Sequence, residues 1–182
     1  MGAGVIDLDL VTGHVAIVEA RTFDASQLIR QAPFPQLVEI HGERYVRLLA
    51  HEENLVGYFS YWQPHNVVSE SPYMGRFPQA YAALVECVNA VRRAVYRYDA
   101  FKPLIVVDPM NVKLAVGVSG KGQKRGNTDQ INKHAVKAGL INLINSGNLL
   151  NPSLIDIDAL DEHSVDALAV AYSQAKYFQS LL

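Results

Sequence analysis

The chain has 182 residues and a formal net charge of −2, with 49% hydrophobic and 19% charged side chains. That is material for one domain with a sizeable core, and it argues against a disordered chain. No apolar run approaches the ~18–20 residues of a membrane span, and no basic-then-apolar secretory signal opens the chain. Cys87 is the single cysteine, so no internal disulfide forms, and a reducing cytoplasm is the simplest setting. The charge is unevenly spread. Residues 76–137 hold eleven basic and four acidic side chains, a surplus of +7, which leaves −9 on the rest. Chance segregation gives such a division. So does a basic surface beside an acidic, metal-using one that acts on a polyanion.

The first expected strand is Gly4–Leu10, with Val5, Ile6, Leu8 and Leu10 apolar around Asp7 and Asp9. Thr12-Gly13 reads as a turn and His14–Ala20 as a second strand. Residues 21–35 carry Pro33 and Pro35 and read as a loop or short insertion. One or two further strands are expected over 36–50, where QLVEIHG and RYVRLLA are rich in branched residues on either side of Gly42-Glu43. Glu52–Gln63 reads as a helix ended by Pro64, and His65–Glu70 as a short strand closed by Pro72. From Phe77 to Tyr98 the apolar positions Ala80, Leu84, Cys87, Val88, Val91 and Val95 recur at helical steps. Pro103–Val107 is a short apolar run that suits a buried strand, and Met110–Val116 a short helix. Ser119–Thr128 holds three glycines and three cations. A helix is expected from Thr128, as N-cap, to about Asn145, and a last helix from near Asp161 onward. Paired strands, then alternating strands and helices, then a closing helix describe one α/β domain over residues 1–182 with a mixed sheet.

Three features carry chemistry. Asp7 is an acid within an apolar strand, which costs desolvation unless a cation or other partner is near. Asp9, two residues on, faces the same way, and a solvated strand end is the plain alternative. Glu70 ends a strand, and sites collect at the carboxyl ends of strands in α/β sheets, although a polar strand end needs no function. His163 and Asp166 are three apart at a helix start and share a face; capping alone would also account for Asp166.

Together, GVIDLDLVTGHVAIVEA, VVSESPYMGRF and DEHSVDALAVAYSQA resemble the RuvC-type Holliday-junction resolvases of the RNase H-like nuclease superfamily. The order and spacing of the three stretches span nearly the whole chain. The last is the most specific, with its His ahead of Asp-Ala-Leu-Ala. The first departs from the family's Asp-Pro-Gly by having Leu8 and Asp9, and residues 21–50 do not align. The resemblance implies an RNase H-like fold with a mixed five-stranded sheet flanked by helices. It makes Asp7, Glu70, His163 and Asp166 a catalytic, metal-binding tetrad. Carboxylates are hard ligands for Mg²⁺, and a His favours Mn²⁺ as a substitute. Two ions per site would hydrolyse a phosphodiester.

The resemblance also makes Tyr73 an aromatic that stacks on bases where a junction opens, with packing on the core as the alternative. Arg76 then stands near a backbone phosphate. Lys113 fits the family's lysine segment, and Lys121, Lys124 or Arg125 supplies a second cation from the glycine-rich loop, each otherwise a solvated surface charge. Cys87 and the aromatic group around Trp62 read as packing residues.

The expected activity is Mg²⁺-dependent endonucleolytic resolution of four-way DNA junctions by a homodimer, with one site per subunit on a two-fold axis. The Leu8-Asp9 change and the lengthened loop suggest a phage or viral version, placed in the host cytoplasm. The rival readings are an RNase H-like nuclease acting on flaps, forks or hybrids, and a non-catalytic junction-binding protein. An ATP-using actin-like protein would need two such domains.

Overall fold

A computed structural model describes residues 1–74, 77–118 and 128–182, with backbone only for 128–133. Contacts divide the chain into two compact units. One comprises Met1 and Phe23–Val106, the other Gly2–Thr22 and Val107–Leu182.

The first unit is mainly helical. After α1 (Ala25–Leu28) come α2 (Phe34–His41) and α3 (Glu43–Trp62), where one or two strands were expected over 36–50. The local branched residues suggested strands, but the longer pattern decides. Val46, Ala50, Leu55, Tyr58 and Phe59 are buried at helical spacing along one continuous α3. Pro35 sits in the first turn of α2, where its missing N–H costs nothing. β3 (Val67–Glu70) and α4 (Pro78–Tyr98) follow as expected, and β4 (Leu104–Val107) pairs with β3.

α3 and α4 run parallel, because their ion pairs rise in step. Arg44 meets Glu86, Glu52 meets Arg93 and Glu53 meets Arg97. Ala90, Ala94 and Val95 on α4 and the apolar stripe of α3 supply the core of this unit. Small alanines let the helix axes approach closely.

The second unit carries β1 (Gly2–Leu8) and β2 (Val15–Thr22), an antiparallel pair with a bulge beside Val5 and Ile6. Val15 and Ile17 on β2 are buried at the period of two that a half-buried strand shows. Leu150 adds a parallel bridge at Ala16, donating to the Val15 carbonyl and accepting from Ile17 at 2.8 Å each. α5 (Pro109–Ala115), α6 (Thr128–Asn145) and α7 (Glu162–Gln179) complete the unit. α7 is its spine: Val165, Leu168, Ala169, Val170, Tyr172 and Ala175 are all buried.

The expected five-stranded sheet is therefore corrected. Among the described residues the strands form two sheets of two strands each. No helix among them is long and apolar enough to cross a membrane.

Candidate active site

The start of α7 is closely specified. Asp161 is its N-cap, and its Oδ1 accepts from the Ser164 amide at 2.8 Å. This satisfies one of the amides a helix start leaves open. The Thr22 hydroxyl, at the end of β2, donates to the same Oδ1 at 2.7 Å and lies 3.0 Å from the Ser164 hydroxyl. Burial opposes the Asp161 charge, but these bonds from Ser164 and Thr22 outweigh it and hold the carboxyl below its usual value.

β1 lies against this same turn. A Cβ at Gly2 would overlap the backbone carbonyl of His163, and one at Gly4 would lie 3.0 Å from Leu168 Cδ2 and 3.2 Å from its amide. Only glycine admits the helix so near. His163 and Asp166 thus stand together on the first turns of α7, both exposed.

Asp7 is not brought to them. Gly2 lies at His163 and Gly4 at Ala167 and Leu168, so β1 and α7 advance in the same direction. Farther along, Gln179 Nε2 donates to the Gly13 carbonyl at 2.7 Å, in the turn after β1. Asp7 is three strand residues past Gly4, or about 10 Å at the rise of a strand. That sets it level with the later turns of α7, roughly six helical residues beyond Leu168. It is exposed near the end of β1, so the desolvation cost that first marked it does not arise. Asp9 lies beyond the strand and builds the turn instead. Its Oδ1 accepts from the amides of Val11 at 2.8 Å and Thr12 at 3.2 Å. Bonds from Thr12 and Val11 lower its pKa.

Glu70 ends β3, exposed, in the other unit. Tyr73 follows on the loop and is 68% exposed, so it does not pack on the core. Met74 and Phe77 are 64% and 67% exposed. Three large apolar side chains are thus bared within five residues, where Tyr73 alone was expected to meet bases. Their clustering after Glu70 was the available signal.

Lys113 lies half-buried on α5. Arg76, Lys121, Lys124 and Arg125 fall outside the described residues. Several cations of the +7 segment are committed within the protein. Arg93 and Arg97 bond the carboxylate of Glu52, which is only 6% exposed, at 2.7 and 3.2 Å. Arg97 also bonds Glu53 at 2.6 Å and lowers its pKa. Lys102 donates to the His65 carbonyl at 3.1 Å. Lys137 donates to the carbonyls of Asp158 and Leu160 at 2.9 and 3.0 Å.

The donor types of Asp7, Glu70, His163 and Asp166 suit a hard divalent cation. Among the described residues no three of His, Cys, Asp or Glu are gathered so as to hold a metal ion.

No protein-family model matches the chain, and no curated protein does. Solved structures do. RuvC of Thermus thermophilus matches with a TM-score of 0.62 at 18% identity, covering 98% of this chain and 89% of that one. The T. thermophilus RuvC in complex with Holliday junction substrate matches with a TM-score of 0.61 at 17% identity, covering 98% and 88%. The likeness shows the fold: this is an α/β chain that resembles RuvC in fold.

Proposed function

We propose that the chain is a structure-selective endonuclease that resolves four-way DNA junctions as a homodimer, with residues 1–182 acting as one nuclease domain in the cytoplasm. The observation that carries this reading is the likeness, over 98% of the chain, to RuvC solved with its Holliday junction substrate. The quoted motifs add the residues.

Asp7, Glu70, His163 and Asp166 are the proposed ligands of Mg²⁺ or Mn²⁺. Two such ions, when bound, supply an activated water and stabilise the departing oxygen of a phosphodiester. The chain's own residues do the rest. Tyr73, with Met74 and Phe77, offers exposed apolar faces to unstacked bases. Arg76, Lys113 and the cations at 121, 124 and 125 hold backbone phosphates and set the register of the DNA without reading its sequence. A junction presents two related strands, and a two-fold dimer places one site on each.

A second reading has one observation in its favour. The register of β1 on α7 sets Asp7 away from His163 and Asp166, as a junction-binding protein without catalysis would tolerate. Cleavage assays in Mn²⁺ separate the two. Under the nuclease reading, Asp7→Asn abolishes junction cleavage while leaving binding intact. Tight junction binding by the wild-type chain with no cutting would establish the binder. Cutting of flaps, forks or RNA–DNA hybrids in preference to junctions would instead mark a nuclease of the same fold with another target.

A further inference from the structure

We propose that the Thr22 hydroxyl and the Lys137 ammonium are positioning residues, which together fix the first turn of α7 and so aim His163 and Asp166; this rests on the nuclease reading above.

Gly2 and Thr22 are cross-strand partners at the end of the β1–β2 ladder. Each meets the start of α7 in its own way. Gly2 abuts the His163 carbonyl, where no side chain fits. Thr22 bonds the cap carboxylate of Asp161 and reaches Ser164, whose side chain is buried. The sheet thus grips both the cap and the first turn.

Lys137 secures the chain just before the cap. Its ammonium donates to the carbonyls of Asp158 and Leu160, which lie within three residues of Asp161. An ammonium bonded to two carbonyls has two of its three donors committed within the protein. The rotation of α7 about its axis sets where His163 and Asp166 point. Three contacts, from β1, β2 and α6, resist that rotation. None of the three residues is a ligand, so their role is to act through the helix start, as partners behind metal ligands do.

The test compares Thr22→Val, Thr22→Ser and Lys137→Met with the wild-type chain. One readout needs neither metal nor DNA: amide hydrogen exchange at residues 164–166, by NMR. The second is steady-state cleavage of a four-way junction in Mn²⁺. Thr22→Val and Lys137→Met are expected to speed exchange at 164–166 about tenfold. They are expected to lower kcat about tenfold with the KM for the junction unchanged. Thr22→Ser, which keeps the hydroxyl, is expected to stay within about twofold of wild type in both. Equal behaviour of the Val and Ser variants, or unchanged exchange in Thr22→Val, would overturn the proposal. Should Thr22→Val fail to fold, Lys137→Met decides, because it removes only a surface bond to two carbonyls. A wild-type chain that cuts no branched DNA overturns the nuclease reading instead. The exchange at 164–166 then still judges the positioning contacts alone.

Discussion

At the residue scale, His51 carries a consequence for acid stability. Its Nδ1 is buried with no hydrogen-bond partner among the described residues. Burial lowers the ring's pKa to about 4, the N-terminal amine and Arg47 push the same way, and Asp24 opposes them. The unfolded chain takes up a proton near the ordinary value of about 6.5. The folded state therefore resists a proton that the unfolded state accepts, and stability falls as pH drops from about 6.5 to about 4. Allowing for the solvent that reaches this half-buried ring, the loss is on the order of 1 kcal/mol. Urea unfolding between pH 7 and 4.5 should show the decline, and His51→Gln should flatten it. Individual roles were legible where their signal is local. The start of α7 near Asp161 is such a case, and the cap there is Asp161 itself, not Asp166. Thr22 and Lys137 were not legible, because the atoms they bond are 139 and 21–23 residues away.

At the element scale, α3 and α4 are joined by a carboxylate that two arginines share. Glu52 is buried and bonded by Arg93 and Arg97. Glu52→Ala leaves both guanidiniums without it, although each is partly exposed and rehydrates. The expected cost is about 2 kcal/mol, below the range for breaking a fully buried pair. That corresponds to a fall in Tm of about 4–8 °C for a chain of this size, measurable by circular dichroism. Gly4→Val should cost a further increment of about 1–3 kcal/mol, because its side chain meets Leu168 and the backbone of α7. The helices over 78–98, 109–115, 128–145 and 162–179 were legible in the sequence, the first from its apolar period. Residues 36–50 were not. Val38, Ile40, Val46 and their neighbours carry strand propensity, while the burial that decides the matter runs through to Phe59. Losing those strands removes the expected sheet and leaves two small ones among the described residues.

At the scale of the whole molecule, the net charge of −2 conceals a +7 segment, and folding redistributes that segment again. Arg93, Arg97, Lys102 and Lys137 are engaged by carboxylates or carbonyls of the protein itself. A phosphate count taken from the sequence therefore overstates the DNA-facing charge. Under the proposed function, Lys113→Met should reduce the slope of log affinity against log salt by about one, whereas Arg97→Met should leave it unchanged and act on stability. The fold itself was legible from three short motifs in the right order, and the likeness to RuvC agrees. The level of Asp7 along α7 was not legible, because spacing along a chain does not set the register of a strand on a helix. The most direct test is cleavage of a synthetic four-way junction in Mg²⁺ or Mn²⁺, beside linear, forked and hybrid controls, with mapped cut sites. Paired, symmetric nicks in the junction alone, lost in Asp7→Asn, are the expected result. Equal cutting of linear and junction DNA, or binding of the junction without any cut, would contradict it.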